Sequence, residues 1–378
     1  MHMHQGQQHK RPETVSLMGS EIHFADLPGL AALLEKYGAA GEDAFFLADT
    51  NTALHCLPLI RELTAGPGEG RLIVIDPGDD QKNIQSLHHI WSFLLHAGAG
   101  RHSRLFNLGG GMITDLGGFA ASTYHRGIPF IHLPVSLTAM ADAAIGGKTG
   151  LNLCGIKNQL GSFSLPEAVI ICPAFLETLP DGELLAGYAE VAKTALLADA
   201  ALWEELSSGL NTRPARKDLL QIMDSQMLYR VAAIKAGIVE GDYHDRGLRQ
   251  CLNFGHSIGH ALEALYREEG KPVRHGIAVA AGMVCESIIA NKLSLMTDEH
   301  LQAISSRLLT LFPAVEFGTD DIDKLLAFLR HDKKNPRQGK LFSLVTEPGH
   351  CLHGISCSDE HIRHALILYL ERVAGSIT

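Results

Sequence analysis

Two histidines one helical turn apart, in the run Asn253-Phe254-Gly255-His256-Ser257-Ile258-Gly259-His260, are the first residues in this chain that invite a chemical reading. A third, in Arg274-His275-Gly276, follows nineteen residues after His256. Upstream, Gly187-Tyr188-Ala189-Glu190-Val191-Ala192-Lys193 places a carboxylate and an ammonium at i,i+3 on one helical face among apolar neighbours. A simple helical ion pair accounts for Glu190 and Lys193 alone. One glutamate and two histidines, however, make a zinc set of the catalytic type, which leaves a coordination position open for a substrate oxygen. No HExxH occurs, so the ordinary metalloprotease reading fails.

The first half offers a different chemistry, that of anions. Gly109-Gly110-Gly111-Met112-Ile113-Thr114-Asp115 follows an apolar strand and opens a helix, so the backbone can approach a diphosphate while free N–H groups at the helix start face it. The run is not GxGxxG, and a tight structural turn explains it equally well. Asp49-Thr50-Asn51 ends an earlier strand, where the carboxylate and amide can hold a ribose or an adenine, or simply cap the next helix. Further on, Asp142 to Gly150 carries Gly146-Gly147-Lys148-Thr149, and Lys157-Asn158 begins nine residues after Lys148. Two lysines and an asparagine beside glycine-rich backbone can clamp a phosphorylated ligand. The Walker pattern is excluded because Asp142, not glycine, stands five residues before Gly147.

These groups need elements to hold them. Short apolar runs at 44–48, 72–75, 105–108, 130–133 and 168–171 alternate with helical stretches, the signature of a mostly parallel sheet whose ligands collect at the carboxyl ends of its strands. From Leu184 the period becomes helical, over 184–206, 219–239, 257–266, 276–293, 298–311, 322–330 and 359–373. The expected architecture is an α/β N-terminal domain, Rossmann-like with a non-standard glycine loop, over residues 1–180, followed by an all-α domain over 181–378. Leu179-Pro180-Asp181 marks the boundary.

Composition narrows the partners. The 378 residues carry 32 basic and 42 acidic side chains, a net charge of −10 that works against adhesion to nucleic acid or anionic membranes. The longest apolar run, Ile277 to Cys285, stops at Glu286, far short of the roughly 18 residues a membrane span needs. Seven cysteines without a CxxC pair fit reduced thiols in the cytoplasm. The N-terminus has no apolar signal-peptide core, and its histidines read as a polar tail with metal binding as the lesser alternative.

Taken in order, Gly109 to Asp115, Thr123-Tyr124-His125-Arg126-Gly127, Gly146 to Gly150, Lys157-Asn158, Ala189 to Lys193, Gly247-Leu248-Arg249, Asn253 to His260 and Asp332-Lys333-Lys334 resemble the motifs of the 3-dehydroquinate synthase family, at nearly its spacing. The resemblance covers roughly residues 45 to 370. It implies Glu190, His256 and His275 as ligands of Zn²⁺ or Co²⁺. It implies NAD⁺ held by Asp49, Asn51, Asp79, Lys82, the Gly110-Gly111 to Asp115 loop, Val135-Ser136, Lys148, Lys157 and the Phe175 to Thr178 segment. Catalytic roles fall to Lys148, Lys193, Lys235, Arg249, Asn253 and His260, and substrate contacts to Asp142, Asn158 and Lys333. Arg126 matches an arginine given to the neighbouring subunit, which implies a homodimer.

The implied reaction converts 3-deoxy-D-arabino-heptulosonate 7-phosphate to 3-dehydroquinate and phosphate, with NAD⁺ regenerated in each turnover, in the shikimate pathway of the cytoplasm. Cyclases acting on other sugar phosphates are the neighbouring alternative, and metal-dependent polyol dehydrogenases the more distant one. Three positions depart from the pattern. Val135-Ser136 replaces Thr-Thr, Asp242-Tyr243-His244-Asp245 replaces Asp-Glu-x-Glu, and His275-Gly276-Ile277 replaces His-Gly-Glu, removing a carboxylate beside a metal ligand.

Overall fold

The computed structural model describes residues 14–376 apart from 65, 69, 155 and 332–339. The histidine-rich N-terminal tail and Lys333 therefore lie outside the described residues. Strands run at Val15–Leu17 (β1), Ser20–Phe24 (β2), Ala44–Asp49 (β3), Leu72–Ile75 (β4), Arg104–Gly109 (β5), Phe130–Pro134 (β6), Lys148–Leu153 (β7), Ile156–Phe163 (β8), Ala168–Ile171 (β9), Lys340–Glu347 (β10) and His350–Cys357 (β11). In the first half the α-helices are Leu27–Lys36 (α1), Thr50–His55 (α2), Leu57–Leu63 (α3), Ile84–His96 (α4) and Gly111–Thr123 (α5). The second half holds Asp181–Ala198 (α6), Ala200–Ser208 (α7), Arg216–Ile222 (α8), Ser225–Gly241 (α9), His256–Glu268 (α10), His275–Lys292 (α11), Asp298–Leu311 (α12), Ile322–His331 (α13) and Asp359–Ser376 (α14).

Seven strands form one sheet in the order β1-β2-β9-β6-β5-β3-β4, parallel throughout except for the β1-β2 edge pair. Strand β3 is buried along its whole length, as a central parallel strand requires. Its side chains sort by the two-residue period: Phe45 and Leu47 pack with Ile73, Leu105 and Ile113 on one face, Phe46 with Phe106 and Ile131 on the other. The chain leaves β3 towards β4 at one edge, and leaves β5 in the opposite direction towards β6. The crevice between the carboxyl ends of β3 and β5 is therefore the switch point of the sheet, where ligands of open α/β folds settle. Asp49 and the glycines from 109 to 111 flank it.

The helical half departs from expectation in three places. The runs expected at 184–206 and 219–239 each break, because Asp199 accepts a hydrogen bond from Leu202 N (2.9 Å) and Asp224 one from Met227 N (2.8 Å), starting α7 and α9 afresh. The half is not purely helical either, since β10 and β11 pair as an antiparallel hairpin. A second hairpin, β7-β8, carries the lysine-asparagine motif of the first half. All seven cysteines are free, and among the described residues no helix is long and apolar enough to cross a membrane.

Candidate active site

Three helices converge because glycine lets them. A Cβ on Gly276 would lie 1.8 Å from the Ala186 carbonyl oxygen, and one on Gly282 would lie 2.0 Å from that of Gly255. Helix α11 is thus pressed against α6 one turn before Glu190, and against the turn that opens α10 at His256. The result gathers Glu190, His256 and His275, whose ligand atoms all lie within 4.8 Å of one another. Glu190 Oε1 is 3.6 Å from His256 Nε2 and 3.4 Å from His275 Nε2. Two ligands about 2.1 Å from one tetrahedral ion stand about 3.4 Å apart, so the spacing is that of a metal cage.

The electrostatics agree with this geometry. Both Glu190 oxygens are buried without a hydrogen bond, although Lys193 Nζ forms an ion pair with Oε2 at 2.7 Å. Burial and the Lys193 charge hold the His256 imidazolium down to about 3, which leaves the ring neutral, the form that ligates. Burial would lower His275 as well, but the carboxylates of Glu190 and Glu263 outweigh it and hold the group at about 9. The carboxylates of the cluster thus favour a positive charge at this position.

Next to the triad lies a ring of charges. Lys193 is 1% exposed and also faces Asp142 Oδ1 at 3.8 Å. Lys235 donates to the same carboxylate oxygen at 2.5 Å and to the Asp142 carbonyl. Burial lowers Lys235 to about 8 even with Asp142 beside it. Desolvation would raise Asp142, but the charges of Lys193 and Lys235 outweigh it and keep that carboxyl well below its usual range. Arg249 is buried, donating to the carbonyls of Tyr243 (2.6 Å) and Gly146 (2.8 Å). Lys148 is half exposed and pairs with Asp245 Oδ2 at 2.5 Å, while Lys157 reaches Glu263 at 3.1 Å. Asn253 is exposed at the end of a 3₁₀ turn, one turn before His256. The His260 ring lies 5.5 Å from that of His256 and 5.7 Å from that of His275.

On the sheet side, α5 starts at Gly110 with no side chain capping it, so its first N–H groups are available to an anion. A Cβ on Gly110 would come 3.3 Å from Ser136 Oγ, and one on Gly111 3.1 Å from the Ala143 methyl, so side chains at these positions would crowd the turn. Val135 N closes on the Gly109 carbonyl at 3.0 Å. Lys82 joins this side to the hairpin, donating to Asp115 and, at 2.5 Å, to Asn158 Oδ1. Asp79 accepts from Asn152 Nδ2 at 3.2 Å and faces Lys157 at 3.7 Å. Asp49 Oδ1 accepts from Thr52 N at 2.9 Å, so the helix-cap reading of this residue is realised, and Asn51 beside it is exposed. Phe175 is buried, and Thr178 Oγ1 donates to its carbonyl and lies 3.4 Å from Cys56 Sγ.

Arg126 is not brought to the site within this chain. It lies exposed in a left-handed turn beyond the far end of α5, the length of a thirteen-residue helix from the glycine turn, or about 20 Å. Two buried carboxylates escaped the sequence reading. Glu263 accepts from Lys157 and lies 3.3 Å from His275 Nδ1, and its i+7 spacing from His256 and i+3 from His260 was a signal available in the sequence. Glu286 accepts from Gly255 N (2.6 Å) and Ile258 N (3.2 Å), capping α10 from a neighbouring helix. Burial pushes it up to about 8. No local motif announces that contact.

A metal-ready triad beside a ring of lysines, facing a glycine cradle at a sheet switch point, defines an enzyme class that combines metal, dinucleotide and anionic substrate. Profiles of the 3-dehydroquinate synthase N-terminal and C-terminal regions match residues 72–186 and 187–335. The chain is 39% identical over 327 residues to the 3-dehydroquinate synthase of Parabacteroides distasonis, covering 86% of this chain and 91% of that one. It belongs to the 3-dehydroquinate synthase family. Among solved structures it resembles the 2-epi-5-epi-valiolone synthase of Streptomyces hygroscopicus with NAD⁺ and Zn²⁺ bound, at a TM-score of 0.80 and 26% identity over 96% of this chain and 100% of that one. A 2-deoxy-scyllo-inosose synthase complexed with carbaglucose-6-phosphate, NAD⁺ and Co²⁺ shares the fold at a TM-score of 0.76 and 20% identity, over 94% of this chain and 99% of that one.

Proposed function

We propose that this protein converts 3-deoxy-D-arabino-heptulosonate 7-phosphate to 3-dehydroquinate and phosphate, as a cytoplasmic 3-dehydroquinate synthase of the shikimate pathway. The carrying observation is that Glu190 belongs to both poles of the site: it faces two histidines through one oxygen and the buried Lys193 through the other. A hydroxyl beside the Glu190, His256 and His275 cage and an anionic group beside Lys193 would therefore be gripped side by side on one small molecule. Glu190, His256 and His275 hold a divalent metal, Zn²⁺ or Co²⁺, and the glycine cradle with Asp49, Asn51, Asp79, Lys82, Val135-Ser136, Phe175 and Thr178 holds NAD⁺. The metal supplies Lewis acidity towards a hydroxyl and the nucleotide a reversible oxidation.

The chain's own side chains do the rest. Lys148, Lys193 and Arg249 fix the substrate's anionic groups, while Asn158 and Asn253 orient its hydroxyls. Asp142 keeps Lys193 and Lys235 in place, and His260, beside both histidine ligands, stands within reach of a substrate proton. The division at Leu179 into a nucleotide-side domain (1–180) and a metal- and substrate-side domain (181–378) sets the reacting groups at the junction. Arg126 completes the phosphate site of a partner in a homodimer. The lysines on β7 and β8 favour a phosphorylated substrate over the plain polyol of a dehydrogenase.

Incubation with the heptulosonate phosphate, NAD⁺ and Co²⁺ is expected to release phosphate together with the carbocyclic product over many turnovers, without net NADH. Stoichiometric NADH from a polyol, with no phosphate released, would transfer the protein to the dehydrogenase class. Mixing Arg126→Ala with Lys148→Ala protein is expected to recover some activity through hybrid dimers. No recovery would remove the shared site.

A further inference from the structure

We propose that Glu263 is a positioning residue that fixes the His275 ring in its ligating orientation and ties it to Lys157 of the β8 strand, an inference that rests on the metal reading given above. The two histidines of the triad are oriented by different means. His256 Nδ1 sits 3.2 Å from the Phe254 carbonyl, a backbone acceptor two residues away that the turn itself supplies. His275 opens α11 as its first residue and has the more exposed ring, at 35% against 13% for His256. Its Nδ1 lies 3.3 Å from Glu263 Oε2, while its Nε2 faces Glu190 Oε1 at 3.4 Å. A proton on Nδ1 shared with Glu263 leaves the Nε2 lone pair aimed at the cage, which is how an outer carboxylate sets the tautomer of a metal-binding imidazole.

The first turn of α11 itself offers His275 no carboxylate. Ile277, two residues on, is buried and apolar. Glu263 is 8% exposed, and its other oxygen is engaged by Lys157 Nζ at 3.1 Å, so each carboxylate oxygen has its own partner. His260, Glu263 and His275 also form a triad of close ligand atoms. A second ion there would meet the Lys157 ammonium at the same carboxylate, which favours the positioning role over a second metal site. The arrangement places one carboxylate between the hairpin and the metal helix.

The test is Co²⁺ binding by the full-length protein stripped of metal, measured by competition with a chromophoric chelator and by the visible absorption of bound Co²⁺. Wild type is expected to bind one Co²⁺ per chain. Glu263→Ala is expected to bind it about 10- to 100-fold more weakly, the usual consequence of losing such a supporting group, with an altered visible spectrum. Glu263→Gln, which still accepts from Nδ1, is expected to recover part of that loss. Should the alanine variant fail to fold, Glu263→Met keeps the side-chain volume and carries the same expectation. Wild-type affinity and spectrum in the alanine or methionine variant, with binding lost in His256→Ala, would overturn the role of Glu263 and leave the metal site standing. Retention of Co²⁺ in His256→Ala would instead overturn the metal reading beneath it. A second Co²⁺ per chain that disappears in Glu263→Ala would make Glu263 a ligand and end the positioning proposal.

Discussion

The metal pole and the lysine hairpin carry the same kinds of charge in opposite surroundings. Glu190 and Lys193 sit on one helix, each 1% exposed, and lean on each other across a single turn. Lys148, on the hairpin, has nearly half its side chain in solvent and takes its partner, Asp245, from the far half of the chain. A charge in the first setting is part of the fold, because removing its partner strands a bare ion in a dry interior. A charge in the second is screened by water and matters mainly when a ligand arrives. Identical residue types should therefore answer mutation in opposite ways.

The largest expected effect falls on the ligands themselves. His256→Ala should lose its metal on dialysis and fall by more than the 10- to 100-fold typical of supporting groups, with Zn²⁺ or Co²⁺ restoring EDTA-treated wild type but not the variant. Full metal occupancy and activity in the variant would remove the helical pole from the comparison. Lys193→Met should come next, destabilising the metal-free protein by about 3 kcal/mol in denaturant unfolding, since it leaves Glu190 with His275 alone to balance it and weakens the hold on Asp142. An unchanged midpoint would mean that these buried charges are not structural.

Acid offers a way to separate the sheet from the metal pole. His132, buried in β6 beside Asn107 at 3.2 Å, is lowered by burial from 6.5 to about 3 and so stays neutral in the fold while the unfolded chain protonates. Its contribution is complete above pH 6.5 and is lost as pH falls from there towards 3, on the order of a few kcal/mol. His132→Gln should flatten the stability-pH curve across that window. An unaltered slope would place the acid sensitivity elsewhere. The smallest effect belongs to the hairpin: Lys148→Ala should lose at least about tenfold in kcat/KM, worth roughly 1.4 kcal/mol, with Tm lowered much less than in Lys193→Met, since only Asp245 of that pair is buried. A Tm loss as large as that of Lys193→Met would erase the contrast between the two regions.

Spacing along one helix was readable in the sequence, and pairings across the chain were not. The His256-His260 turn and the Glu190-Lys193 pair follow from the 3.6-residue period, and the central strands from short apolar runs set between helical stretches. Glu263 continues the same helical face and could have been read with them. The meeting of Lys235 with Asp142, ninety-three residues apart, leaves no local trace, and neither does Glu286 reaching back to cap α10. The hairpins escaped for another reason. Strand β8 is mostly exposed and the buried stretch of β10 is interrupted by Ser343, so neither shows the unbroken apolar run that marks the central strands or the alternation of a half-buried one. The second half is helical as expected except for the hairpin β10 and β11.

Five lysines at the site each face a carboxylate before any ligand arrives: Lys82 with Asp115, Lys148 with Asp245, Lys157 with Glu263, Lys193 with Glu190 and Lys235 with Asp142. A cleft lined by five bare ammonium groups would fill with whatever inorganic anion the surroundings supply, and its occupancy would swing with ionic strength. Here an incoming phosphate or carboxylate must compete with an internal rival for the N–H donors of each lysine it meets. Recognition becomes an exchange of partners, in which a small anion gains little from any one swap and only a molecule making several at once stays bound.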